Sequence, residues 1–420
     1  MRLLEGVVRP YAWGSRTAIA SIRGLPTPSP HPEAELWFGA HPAGPSSCVD
    51  GGGEPSTLLA EIDAHPTEAL GSGAVAEFGP RLPFLLKVLA ADEPLSLQAH
   101  PSAEQAAEGF ARENAQGLAP DAPERNYRDG WHKPEVIVAI TEFDALAGFR
   151  DPAQTVDLLR ELQVAELDSY LGMLAGQPDS NGLRALFTTW ITLPEAVIAT
   201  LVPAVLDAAV ALLAHGETRF RAELQTLLEL GESYSRDPGV LAALLLNRIH
   251  LKPGEALFLS AGNLHAYLQG TGVEIMANSD NVLRGGLTPK HIDVPELLRV
   301  LDFSPVTPED LAPRIRTINA ERIYLTEARE FRLSRVELDG TGLRHASSIS
   351  FDMPGPQILA VLRGTIEVRS MTGGTTTVHA GQAIWIADND PDVIVRAAAA
   401  KATFFRALVP VAPLSGRPAN

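Results

Sequence analysis

Leu95-Ser96-Leu97-Gln98-Ala99-His100-Pro101 is the stretch on which the reading of this chain turns. As a β-strand it alternates its side chains, so Ser96, Gln98 and His100 share one face while Leu97 and Ala99 share the other. One face is a row of polar, ligand-type groups, and the other can pack on a core. Alone, the heptad reads equally well as a half-exposed strand with a solvated polar face. Two further segments shift the balance. Trp131-His132-Lys133-Pro134-Glu135-Val136-Ile137-Val138 sets Lys133 and Glu135 on one face of an extended segment. Leu257-Phe258-Leu259-Ser260-Ala261-Gly262-Asn263-Leu264-His265-Ala266-Tyr267 runs an apolar strand through a Gly turn to another histidine. Gln98, His100, Glu135 and His265 together make a mixed nitrogen and oxygen ligand set suited to zinc or another divalent first-row ion.

The chain around these segments is long enough, at 420 residues, for two or three domains with a large core. Its net charge of −17 argues against nucleic acid or an anionic membrane as partner. A phosphorylated small molecule stays compatible, because a few local cations such as Arg284, Lys290 and Lys133 can overrule the average field. The one cysteine, Cys48, excludes an intrachain disulfide and a cysteine-cluster metal site, and reads as a small, partly buried side chain. Met1 to Gly6 lacks an apolar run suited to a signal peptide, so the expected location is the cytoplasm. Val197 to Ala214 resembles a membrane span in composition. It contains Pro203 and Asp207, however, and is expected to be a buried helix of a soluble domain.

In chain order, residues 1 to 100 alternate short apolar runs with turns such as Gly24-Leu25-Pro26-Thr27-Pro28 and Gly51-Gly52-Gly53, which predicts antiparallel strands. Pro83 to Leu89 is the clearest core strand, expected to form a hairpin with Ser96–His100 through Asp92-Glu93-Pro94. Ala103 to Gln116 reads as helix, and Val136 to Phe149 as strands. At Asp151-Pro152 the texture changes, with an Asp N-cap and a Pro at the first helical position. Helical patterns run on to about Asn247, so 151–247 is predicted to be a helical insertion whose two ends lie close together. Lys252-Pro253-Gly254-Glu255 predicts a hairpin turn, and Thr288-Pro289 and Asp293-Val294-Pro295 predict short helices. From Ile323 to Val411, short strands return at sandwich spacing, with His379 isolated among them.

Several motifs together carry a resemblance. Gln98-x-His100-Pro101, Lys133-Pro134-Glu135, Gly262-Asn263-x-His265 and Asn278-Ser279-Asp280-Asn281-x-x-Arg284-Gly285-Gly286-x-Thr288-x-Lys290 resemble, in this order, the type I phosphomannose isomerases. The similarity runs from Tyr11-Ala12-Trp13-Gly14 through Glu35-Leu36-Trp37 to about Leu298. It implies a mainly β fold with an α-helical insertion, built from two cupin (jelly-roll type) β-domains plus a helical domain. The expected divisions are 1–150 with 248–310 as the catalytic cupin domain carrying the metal site, 151–247 as the helical domain, and 311–420 as a second cupin without a metal. It implies one zinc ion per chain on Gln98, His100, Glu135 and His265.

The reaction implied is interconversion of mannose 6-phosphate and fructose 6-phosphate, with a proton moving between C1 and C2 through a cis-enediol-like intermediate. Arg284 matches the family's active-site arginine. Lys133 and Glu274 are rival candidates for the base, with Lys290 a further catalytic candidate. Ser96, Lys290 and Arg284 are candidates for binding the phosphate, while His41, His132 and His291 could contact substrate but are given no ligand role. Two alternatives stand beside this: a non-haem iron oxygenase using two histidines and a carboxylate, and a non-enzymatic sugar-phosphate-binding cupin. In each reading the partner is a small molecule and the chain is expected to act as a monomer.

Overall fold

The computed structural model describes residues 1–49, 56–341, 346–351, 354–398 and 401–410. The expected Gly51-Gly52-Gly53 turn and the stretch from Val411 to the end lie outside them. The strand His265–Ala277 serves two sheets at once. Its first half pairs with Phe143–Phe149 and, at His265, with Gln98 of the short strand Leu97–Ala99. Its second half lies between Phe84–Ala91 and Glu135–Ala139. A register irregularity between Tyr267 and Gln269, followed by Gly270 at φ +122°, bends the strand from one sheet to the other. Leu246–Leu251 and Leu283–Gly286 complete the first sheet. Ala256–Leu259, Glu35–Phe38 and Val7–Arg9 complete the second. Two sheets face to face, sharing a bent strand, make a jelly roll.

Phe84–Ala91 is buried along its whole length. Such a strand reads as a continuous apolar run because both its faces are covered. Phe84, Leu86, Val88 and Ala90 pack outward in one cluster with Ile358, Trp385 and Phe405 of the C-terminal part. Leu89 and Ala91 pack with Ile137, Phe143 and Leu257. Lys87 lies on the same alternate face as Leu89, and it is the only charge in the strand.

Several sequence expectations are corrected here. Phe84–Ala91 and Leu97–Ala99 do not pair with each other, because the turn between them carries the chain from one sheet to the other. The Lys252–Glu255 turn likewise joins strands with different partners, Phe143–Phe149 before it and Glu135–Ala139 after it. Residues 1 to 100 are not all strand and turn, since Leu58–Ala64, Pro66–Leu70 and Ser72–Phe78 are helices. Pro66 occupies the first turn of its helix, and the Thr57 side chain caps the first of the three. Asp293 caps Val294–Val300 as expected. No helix follows Thr288-Pro289, where the Thr288 N–H is instead taken by Asp237 at 3.0 Å.

Six α-helices between Pro152 and Ala242 follow the Asp151 cap, whose side chain accepts from the Gln154 N–H at 3.0 Å. The chain leaves the first sheet at Phe149 and returns at Leu246, and these two residues are register partners. The helix Glu195–His215 is not wholly buried. Ile198, Leu201, Val202, Val205 and Ala209 form a buried stripe, while Val210 is 53% exposed and most of the outer face is Ala, Thr and Pro. It is thus amphipathic by side-chain size more than by polarity, which explains its resemblance to a membrane span.

Among the described residues, six C-terminal strands join Arg2–Glu5, Ser47–Cys48 and Ser56–Thr57 in a nine-stranded sheet, and four more form a second sheet. Val336, Leu359, Val361, Ile366, Val368, Val395 and Phe404 fill the space between them. Arg2–Glu5 belongs to the nine-stranded sheet, paired with Gln382–Ile386, and not to the jelly roll of the residues that follow it. A Cβ at Gly270 would fall 2.5 Å from the Glu142 carbonyl oxygen in a backbone conformation that other residues avoid. Gly270→Ala is therefore expected to cost about 2 kcal/mol or more, read as a lowered Tm; an unchanged Tm would show that the bend tolerates a side chain.

Candidate metal centre and cavity

Strand register places the site residues. Gln98 pairs with His265 on one side and Arg284 on the other. Directly opposed residues of antiparallel strands point to the same face, so these three side chains form one row, with His100 two residues beyond Gln98. From the second sheet come Glu135, Glu274 and Lys87, the last two being register partners. The inner faces of the two sheets therefore meet with nitrogen ligands on one and carboxylates on the other.

At the meeting point His100, Glu135 and His265 are each 2% exposed or less. His100 Nε2 lies 3.3 Å from Glu135 Oε1, and His265 Nε2 lies 3.5 Å from Glu135 Oε2. The Asn281 carbonyl takes the Nδ1 hydrogen of His100 at 2.8 Å, and the Asn263 carbonyl takes that of His265 at 3.0 Å. A carbonyl can only accept, so each Nδ1 carries the proton and each Nε2 presents a lone pair. Burial pushes the His100 imidazole down to about 4, which keeps it neutral. Burial opposes ionisation of Glu135, but the Lys133 ammonium at 3.1 Å outweighs it and holds the carboxyl well below the usual range.

His100 Nε2, Glu135 Oε2 and His265 Nε2 are buried with no hydrogen-bond partner. Orphaned buried polar atoms are costly. Here the ligand atoms of the three residues lie within 4.8 Å of one another. A tetrahedral ion with bonds of about 2.1 Å sets its ligands about 3.4 Å apart, so the residues present fit a divalent metal. The Gln98 carboxamide stands beside His265 by register and faces the same cavity.

The cavity holds about 640 Å³. Ser96, Gln98, Lys133, Glu135, Glu274, Arg284 and Lys290 all line it, so residues spread over almost two hundred positions are gathered around one space. His41, His132 and His291 do not line it. His41 is engaged by Asp280 at 3.3 Å, His132 by Glu330 at 2.6 Å, and His291 is exposed. One group passed over in the sequence is Lys87. Its ammonium is 2.6 Å from Glu274 and 3.3 Å from Glu35, while the Tyr267 hydroxyl donates to Glu274 at 2.8 Å. Burial would lower the Lys87 ammonium, but Glu274 and Glu35 overrule it and raise it. Burial raises the Glu274 carboxyl above its ordinary range despite Lys87. The available signal was a lone lysine in an otherwise apolar core strand.

A jelly roll whose inner face holds two histidines and a glutamate aimed at one point defines a metal-binding cupin. The family profile "Phosphomannose isomerase type I, catalytic domain" matches residues 1–152. The mannose-6-phosphate isomerase of Salmonella typhimurium is 39% identical over 362 residues, covering 86% of this chain and 90% of that protein. That of Escherichia coli is 36% identical over 399 residues, covering 94% and 97%. A crystal structure of mannose 6-phosphate isomerase bound with zinc and yttrium superposes with a TM-score of 0.87 at 35% identity, over 98% of this chain and 100% of that one. The chain belongs to the type I mannose-6-phosphate isomerase family.

Removing one histidine from a three-residue ligand set leaves too few donors for tight binding. His265→Ala and Glu135→Ala are therefore each expected to lose the bound metal in elemental analysis of the purified protein. Full occupancy in both would place the metal elsewhere.

Proposed function

We propose that this protein interconverts mannose 6-phosphate and fructose 6-phosphate. The observation that carries the reading is the orphaned triad of His100, Glu135 and His265 at a cavity that also holds Glu274 and Arg284. Zinc is the proposed ion, held by the triad with Gln98 beside it. Bound there, it would supply Lewis-acid polarisation of the sugar oxygens. The oxygenase and the non-catalytic readings find no support among the relatives, which carry the isomerase name at high coverage.

Aldose–ketose isomerisation needs a base for a proton on carbon and a cation for the oxygen that gains charge. Glu274 suits the base, because a carboxylate raised by burial is a better proton acceptor near neutral pH. Lys87 and Tyr267 fix its orientation. Arg284 suits the cation. It stands opposite Gln98 in the strand pairing, beside the ligand set, and its fork of donors remains charged. Lys133 lines the same cavity next to Glu135 and is proposed to donate to a sugar oxygen, while Ser96 and Lys290 are proposed to bind the phosphate.

We also propose the division into a catalytic unit from 1–150 and 248–310, a helical unit at 151–247 and a C-terminal unit from 311, amended in that Arg2–Glu5 pairs with the last. The expected setting is a cytoplasmic enzyme acting as a monomer on a small-molecule substrate.

The test is coupled conversion of mannose 6-phosphate before and after chelation, with activity expected, lost on chelation and restored by zinc. Metal-replete protein with no turnover would reject the reading. Because Arg284 serves charge that grows in the transition state, Arg284→Ala is expected to lose about 10²-fold or more in kcat, with a smaller change in KM. Near-normal kcat with a large KM would make it a ground-state ligand instead.

A further inference from the structure

Three cations share the cavity lining: Arg128, Arg284 and Lys290. Among the described residues none of them makes an ion pair or a side-chain hydrogen bond. Of the acids that line the cavity, Asp280 is engaged by His41, though it also feels the charge of Arg128, Glu135 by Lys133 and Glu274 by Lys87. The three also feel each other. Arg284 is lowered by burial and by the charge of Arg128, and Lys290 by burial, Arg284 and Arg128. In a chain of net charge −17, mutually repelling cations gathered without an ion pair among the described residues mark a place for an anion.

Arg128 cannot leave this cluster by moving its backbone. Its N–H donates to Asn281 Oδ1 at 2.7 Å. The preceding Tyr127 is fully buried, its N–H held by Glu113 at 2.9 Å and its hydroxyl donating to Glu296 at 2.5 Å. The following Asp129 accepts from the Ser279 hydroxyl at 2.8 Å and from the Asp280 N–H at 2.9 Å. The loop is thus tied on one side to the core and on the other to the segment that leads into Arg284. Its charged tip is exposed and faces the cavity, within reach of an incoming ligand.

We infer that Arg128 is a binding residue for the substrate's phosphate, acting with Lys290 at the cavity mouth and leaving Arg284 to the reacting carbons. This rests on the sugar-phosphate reading given above. A guanidinium offers a phosphate monoester paired donors as well as charge. Arg128 would accordingly select phosphorylated over neutral sugars.

Inorganic phosphate, titrated calorimetrically into the metal-loaded full chain, tests the site without turnover. Arg128→Gln is expected to weaken phosphate about tenfold and to raise KM for mannose 6-phosphate by a similar factor, with a smaller change in kcat. Arg128→Lys, which keeps the charge, should recover most of the phosphate affinity. Unchanged phosphate affinity in Arg128→Gln, a loss confined to kcat, or no phosphate binding by the native protein would each overturn the inference. Phosphate binding that depends on Arg128, in a protein that does not turn over mannose 6-phosphate, would uphold the anion site and reject the isomerase reading alone.

Discussion

The site depends on the double pairing of His265–Ala277. Backbone hydrogen bonds along both edges of this strand fix where its side chains point, and its bend passes them from one sheet to the other. His265 on the first half thereby meets Glu135 at the metal position, and Glu274 on the second reaches the adjoining cavity, from one strand. A one-residue slip would turn both to the wrong face. The eight-residue match to Phe84–Ala91 makes such a slip costly, since it would set Glu274 into the apolar layer of Val273 and Ile275 and leave Lys87 without its partner.

The charges inside the jelly roll are arranged in pairs that satisfy one another before any ligand arrives. Lys87 lies between Glu274 and Glu35, and the Trp37 indole donates to the remaining oxygen of Glu35 at 2.8 Å. Lys133 faces Glu135. A buried charge without a partner would be destabilising by several kcal/mol, so the network holds a polar interior in place. What it leaves over is informative. Among the described residues, unpartnered ligand atoms of His100, Glu135 and His265 converge at the metal position, and cations without an ion pair gather along the cavity. Together they give the cavity a floor for a cation and an entrance for an anion.

Much of this was legible from sequence, for a local reason. Alternation in Leu97–Ala99 and the helix start at Asp151-Pro152 are properties of adjacent residues, and the motif order carried the family and the jelly-roll class with them. The features missed were those set by distant partners. Lys87 is unremarkable until Glu274 lies opposite, and Arg128 until the Asn281 side chain draws its loop against the segment before Arg284. The expected hairpin after Phe84–Ala91 failed because a turn signal says that the chain reverses, not which sheet it joins. The helices between Leu58 and Phe78 were obscured because Pro and Gly were read as interruptions, whereas they stand at helix starts and ends.

The pairing of Arg2–Glu5 with Gln382–Ile386 also bears on how the chain is made. One edge of Arg2–Glu5 pairs with the nearby Ser47–Cys48, but the edge that takes Gln382–Ile386 leaves the ribosome hundreds of residues before that partner exists and must wait while the jelly roll and the helices form around their own nearer contacts. Closure of the nine-stranded sheet is therefore a late event, dominated by long-range pairing and slow for that reason. Once closed, it ties the two β-units together, with Arg2–Glu5 between Ser47–Cys48 and Gln382–Ile386. The catalytic jelly roll thus acquires its final neighbour only when synthesis has passed the last strand of the sheet.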